Sequence, residues 1–301
     1  MQASELLWGI DLGGTKIEGA VIHLRDELKV LARTRIPTQR DRGYDHILNQ
    51  IALLISMLQQ ETGLKPKRVG LAMPGTIDPL TNRVKNSNTT CLNDRFFAQD
   101  LEKKLGIPIR HSNDANCFAI AEAKLGIVPQ ELRDAQIVFG VILGTGTGGG
   151  LVINGQVLKG RQGIAGEWGH NFLDDSGGDC YCGRRGCVET ILSGTGLENY
   201  YQSISGVRLS MKEIMQRLEE DEGARQTLNR FHHFFGRAIS QVINIVDPDA
   251  IVIGGGLGNI DSLYTEGVAQ VKKYVFNPRL DTLFLKPKLG DSAGVFGAAL
   301  L

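Results

Sequence analysis

The chain has 301 residues, with 33 basic and 33 acidic side chains. That balance argues against a nucleic-acid specialist or a protein of anionic membranes, both of which need an excess of cations, and the length allows two domains. No run of about eighteen apolar residues predicts a membrane span, and "MQASELLWGIDLGG" has neither the basic start nor the apolar run of a leader, so no membrane or nucleic-acid partner is expected and the expected location is the cytoplasm.

The predicted elements alternate. "LLWGIDLGGTK" reads as an apolar strand ending in glycines. Residues 44–62 place Ile47, Ile51, Leu54 and Leu58 at helical spacing, and Gly63 supplies the stop. "VGLAMPG" is a second strand with a glycine end. The short strand "IPIR" leads into "SNDANCFAIAEAKLG", a helix that begins near Asn113-Asp114-Ala115-Asn116. "IVFGVILGTGTGGG" follows. Ser210 and Glu213 form a capping box. Over 224–246, Leu228, Phe231, Phe235, Ile239, Val242 and Val246 make one stripe, ended by Pro248. "AIVIGGGLG" closes the series. Strands alternating with helices indicate an α/β protein.

An internal repeat sharpens this. "GIDLGGTKIEGAVI" (9–22) lies over "GVILGTGTGGGLVI" (140–153) without a gap, with six of fourteen positions identical. Each unit reads strand, glycine turn, strand, which is a β-hairpin with an exposed backbone tip. Two such tips suggest two related domains facing a cleft.

Gly144, Gly146 and Gly149 fit G-x-G-x-x-G, but a dinucleotide site needs a helix next, and "GLVINGQVLKG" is β-like. No G-x-x-x-x-G-K-[ST] loop is present. Glycine hairpin tips can still cradle phosphate through bare N–H groups, with hydroxyls from Thr15, Thr145 and Thr147 and a charge from Lys16. Asp11 ends an apolar strand, where it serves either a Mg²⁺ site or a turn cap. Asp114 is either the cap of its helix or a catalytic carboxylate at its positive end. "GEWGHNFLDDSGGDCYCGRRGCVET" (166–190) holds three of the five cysteines and a histidine, which admits a metal centre, a disulfide knot or a structural clip. A reducing cytoplasm lowers the disulfide reading.

Taken in order, "GIDLGGTK", "NDANCFAIAEAKLG", "GTGTGGG", "GEWGH", "CYCGRRGCVE" and "IVIGGG" resemble the ROK-family sugar kinases, of the actin/hexokinase ATPase superfamily. The resemblance covers residues 8–301. It is strongest to bacterial fructokinases and mannokinases, through "VKNSNTTCLN", "AGEWGHN", "CYCGRRGCVETILSGTG" and "GDSAGVFGAA". Those relatives often differ in carrying a longer insert between His170 and Cys180 and a tryptophan at Cys91.

The resemblance implies a two-domain actin/hexokinase-like (ribonuclease H-like) α/β fold with a ligand cleft between the domains. The small domain would take 1–117 plus 290–301, and the large one 118–289 with the zinc loop. Asp114 would be the general base on the 6-hydroxyl of a hexose, and Asn113 would hold a neighbouring hydroxyl. Asn88, Glu167, His170 and Glu189 would contact the sugar. Asp11, Gly13, Gly14, Thr15 and Lys16 would form one phosphate loop, Thr145 and Gly146 the other, and Gly255 and Gly256 would lie under the adenosine. Beside ATP and Mg²⁺, a structural Zn²⁺ would be held by His170, Cys180, Cys182 and Cys187, a closed set with no open position for water. His170 would offer its second ring nitrogen to the sugar. Cys91 and Cys117 read as core residues.

The expected acceptor is fructose or mannose, with N-acetylglucosamine or glucose as the alternative. A homodimer is expected from the family. Some ROK relatives are repressors with an added helix-turn-helix, for which a phosphate hairpin starting at residue 8 leaves no room. A non-catalytic sugar-responsive module would not need Asp114 or the phosphate loops.

Overall fold

The structure is a computed structural model that describes residues 5–25 and 28–301. The first four residues of the stretch read for a leader lie outside it. By internal contacts the chain forms two compact units, Met1–Gly126 with Gln156–Ala165 and Lys288–Leu301, and Ile127–Gly155 with Gly166–Pro287.

In the first unit, β1 (Glu5–Leu12) pairs antiparallel with β2 (Lys16–Leu24), and β2 with β3 (Leu28–Pro37). β4 (Val69–Met73) and β5 (Ile109–Asn113) add in parallel, giving the order β3-β2-β1-β4-β5. β4 is buried at all five positions, as a central strand covered on both faces must be. The expected helix forms over Tyr44–Thr62, buries Ile47, Ile51, Leu54 and Leu58, and ends at Gly63 with φ 69°.

The C-terminal helix Ala293–Ala299 covers the opposite face, since Gly9 alternates with Ile10, the partner of Gly19 under the first helix. It approaches so closely that a Cβ on Gly9 would stand 2.1 Å from Val295 O, and one on Gly70 1.7 Å from Ala298 O. Only glycine fits at either place. The same helix touches the helix Asp114–Lys124, where buried Glu122 accepts the N–H groups of Lys288 and Leu289. The helix that begins at Asp114 is therefore held by the returning C-terminus.

The second unit repeats the plan. β6 (Ile137–Leu143) and β7 (Thr147–Ile153) form an antiparallel hairpin with Gly140 opposite Gly150. β8 (Ala250–Gly254) runs parallel to β6, and β9 (Leu283–Leu285) parallel to β8. β7 confirms the sequence argument that a strand, not a helix, follows the second glycine run. The long helix spans Glu222–Val246 and fully buries Phe231, Phe235 and Ile239. Truncating one of these phenylalanines to alanine would cost about 3–5 kcal/mol. Asp247, in the left-handed region at φ 46°, ends the helix just before Pro248. The Ser210–Glu213 capping box is present. Among the described residues no helix is long and apolar enough to cross a membrane.

Candidate functional site

The turn between β1 and β2 is closed by Gly13 N–H donating to Lys16 O at 3.0 Å, which leaves Thr15 and Lys16 exposed at its tip. Asp11 lies at the end of β1, half-buried, opposite Glu18 in register. Its carboxyl is pushed up to about 7, first by burial and then by the negative charges of Asp114 and Glu18, against the pull of Lys16 and Arg35. Glu18 is buried and engaged: Arg35 Nε lies 2.9 Å from it, and Ser292 Oγ donates at 2.9 Å. Among the described residues Asp11 has no ion-pair partner of its own. A carboxylate in that condition is suited to a divalent ion, which would favour its charged form.

β5 ends in Asn113, which caps the next helix by accepting Asn116 N–H at 2.8 Å. Asp114 is the first helical residue, and its Oδ1 accepts Ala115 N–H at 2.8 Å. The side chain is exposed by area, yet protein atoms crowd the carboxyl enough that lost hydration raises its pKa, only partly offset by N–H donors. Asn88 is exposed between buried Ser87 and Thr89, on a turn held by Asn93, whose side chain bonds both backbone groups of Ser87 at 3.0 Å. Cys117 is fully buried, and Cys91 packs half-buried on the core, as expected.

In the second unit, Gly144 N–H donates to Gly146 O at 3.0 Å and closes the other hairpin tip, with Thr145 and Gly146 exposed. Glu189, on the helix Val188–Leu192, braces this tip: its Oε2 accepts Thr147 N–H at 2.9 Å and stands 2.6 Å from where a Gly146 Cβ would be. The glycine thus leaves room for the carboxylate. Gly255 has φ 81°, and a Cβ there would stand 2.3 Å from Leu143 O.

Thr145 and Gly256 open onto a cavity of about 420 Å³, walled by Met211, Met215, Leu257 and Ile260, with Glu198 and Lys212 as its charged groups and Thr195 beside them. Apolar walls with few polar groups, at this size, suit a flat heteroaromatic ring. Thr145 and Gly256 were among the residues expected from sequence; the walls were not. The capping box that places Met211 in a first turn was visible; its convergence with 257–260 was not.

Glu167 stands just before the short turn Trp168–His170, which is locked by Trp168 Nε1 donating to Gly148 O at 2.9 Å. The ligand atoms of His170, Cys180, Cys182 and Cys187 all lie within 4.8 Å of one another. Cys182 Sγ is 3.7 Å from Cys187 Sγ, and Cys180 Sγ is 3.7 Å from His170 Nδ1. Those are non-bonded separations, so the cysteines are free thiols. They are close to the edges of a tetrahedron built on zinc–sulfur bonds of ~2.3 Å, about 3.8 Å. The donor set fits a closed structural site. The other ring nitrogen, which the sequence reading reserved for sugar, meets Tyr181 Oη at 3.1 Å.

The ROK family model matches residues 7–301. The N-acetyl-D-glucosamine kinase of Aliivibrio salmonicida is 36% identical over 307 residues, covering 98% of this chain and 99% of that protein. The enzyme of the same name from Pasteurella multocida is 38% identical over 306 residues, covering 98% of each. Among solved structures, the ROK hexokinase of Thermus thermophilus superposes with a TM-score of 0.86 at 27% identity, covering 98% of this chain and 97% of that one.

Proposed function

The chain belongs to the ROK family, and on that premise we propose that it transfers the γ-phosphoryl group of ATP to the 6-hydroxyl of N-acetyl-D-glucosamine, with Asp114 as general base. Its class is ATP:sugar phosphotransferase, and its fold is the α/β fold of the actin and hexokinase kind. The observation that carries the amino sugar is the 36% and 38% identity, over nearly the whole chain, to kinases of that name. Fructose and mannose, expected from sequence, are set aside: the relatives support the alternative acceptor instead. The quoted motifs are shared among kinases of several sugars, whereas acceptor choice rests on a few pocket contacts.

Asp114 takes the proton of the attacking hydroxyl. The oxygen–phosphorus bond forms as the bond from the γ-phosphorus to the β–γ bridging oxygen breaks, and the charge leaves with ADP. A loose transition state makes positioning and charge stabilisation the main contributions. The turn at 13–16 and the turn at 144–146 offer N–H groups to phosphate oxygens, and the cavity beside Thr145 takes the adenosine. Asp11 is the residue to hold magnesium, which, when bound, supplies positive charge against the phosphates. Asn88, Asn113, Glu167, His170 and Glu189 are proposed around the sugar ring. The four-ligand cluster would hold zinc as a brace for the loop. A homodimer in the cytoplasm is part of the same reading.

The test is ADP release from ATP with N-acetyl-D-glucosamine, glucose, mannose and fructose in parallel. The expected result is that N-acetyl-D-glucosamine leads in kcat/KM by about tenfold or more, a difference of the size pocket contacts supply. A lead for fructose would return the reading to the sequence expectation. Sugar-independent silence with all four would remove the kinase assignment.

A further inference from the structure

Arg40 belongs to the short turn Arg40–Arg42 after β3. Two residues earlier, buried Thr38 is tied to the first hairpin turn twice: its N–H donates to Thr15 O at 2.9 Å and its hydroxyl to Gly13 O at 2.7 Å. Gln39 then takes a left-handed backbone, φ 50° and ψ 48°, which few non-glycine residues adopt. The result is that Arg40 Nη1 lies over the hairpin turn, 3.3 Å from where a Cβ on Gly14 would be. A side chain at Gly14 would crowd the guanidinium only slightly, by a few tenths of an ångström.

The neighbouring arginines are occupied. Arg33 and Arg35 pair with Glu18, and Arg42 donates to Gln39 Oε1 at 3.2 Å. The Arg40 guanidinium is exposed and, among the described residues, has no hydrogen-bond or ion-pair partner. A strained backbone and a doubly tied threonine thus hold an unpaired cation against a glycine turn.

Resting on the kinase reading above, we propose that Arg40 is a phosphate-binding residue of the transfer step, its guanidinium closing over the phosphate oxygens carried on the Gly13–Thr15 turn. The side chain is suited to this because it stays charged at all working pH values and offers a planar fork of donors that matches two oxygens of one phosphate. It exchanges no proton. It neutralises the charge that gathers on the phosphates as the bond to the bridging oxygen breaks. Lys16, a point charge on a flexible stem, cannot supply that two-point geometry.

The experiment compares the parent with Arg40→Met, Arg40→Lys and Arg42→Met, the last removing an equal charge from the same turn. Sugar-dependent ADP release is measured, together with calorimetric affinity for ATP with magnesium, ADP and adenosine. Arg40→Met is expected to lower kcat by about 10²-fold or more, as loss of a transition-state donor does, with sugar KM, adenosine affinity and thermal midpoint unchanged. ATP affinity is expected to fall about tenfold, as loss of a charge-assisted bond would bring. Arg40→Lys should recover part of the loss, and Arg42→Met should stay within about twofold of the parent, as surface changes do.

Arg40→Met within about threefold of the parent in both kcat and ATP affinity would overturn the proposal, being below the size of a single charged hydrogen bond. Equal losses for ATP and adenosine would also overturn it, since the effect would then be structural. If the parent releases no ADP with any sugar, the kinase reading fails. The contrast between ATP and adenosine affinity still decides whether Arg40 binds phosphate.

Discussion

Asn113 Oδ1 accepts the backbone N–H of Asn116 at 2.8 Å, so Asn113, and not Asp114, caps the helix Asp114–Lys124. Asp114 is thereby relieved of the structural duty that its sequence position suggested. Asparagine is also nearly isosteric with aspartate. Asp114→Asn is expected to leave the thermal midpoint close to the parent and to lower kcat by about 10²–10⁴, the usual contribution of a general base. Asn113→Ala is expected to cost about 1 kcal/mol of stability, as loss of a cap does. Turnover of the Asp114 variant within about threefold of the parent would send the search for a base elsewhere, because proton transfer contributes far more than that.

Asp11 makes the apo protein sensitive to pH. Its folded pKa, about 7, lies above the ordinary 3.8, so the folded state holds this proton more tightly than the unfolded state. Stability from this group is present below the ordinary value and is lost as pH rises toward about 7. Asp11→Asn should therefore raise the thermal midpoint of nucleotide-free protein at pH 8 while depressing magnesium-dependent turnover. In the parent, kcat/KM for ATP with magnesium should climb as pH rises to about 7 and then level, since the cation needs the carboxylate. A melting temperature lowered by Asp11→Asn at pH 8 would contradict this account.

The four-ligand cluster predicts one zinc per chain. Cys182 is exposed, so Cys182→Ser removes little packing and acts through the metal. Elemental analysis should show zinc lost from the variant, and loss of the metal should lower the midpoint, because binding energy at a structural site is folding energy. Purified parent with no zinc and full activity would take the metal out of the picture.

The cavity beside Thr145 can be closed from its wall. Met215→Trp adds bulk to a space of about 420 Å³. Affinity for ATP should fall by about tenfold or more, in line with the 1–3 kcal/mol that overpacking costs, while sugar binding measured without nucleotide stays at the parent value. Unchanged ATP affinity would place the adenosine elsewhere.

Periodicity and punctuation were enough to read the Tyr44–Thr62 helix, the Ser210–Glu213 box and both glycine hairpins. Those features are local: an element a few residues long carries its own hydrophobic spacing, cap and stop. The cysteine-rich loop stood out for the same reason, since three cysteines fall within eight residues, Cys180 to Cys187, while the full four-ligand set came from the family resemblance.

Other features required the chain to come together. Whether Asn113 or Asp114 caps the helix depends on how β5 delivers the backbone, which either residue type would accept. The Glu189 carboxylate reaches Thr147 N–H across 42 residues, and Met211, Met215 and Leu257 meet only because separate segments pack around one space. Arg40 reads as one more surface arginine until Thr38 ties its strand to the Gly13–Thr15 turn. Composition and spacing specify which groups are available and which elements form. The direction of a side chain, and the partner it finds, is set by long-range packing, in which a single bare glycine such as Gly146 decides what can come near.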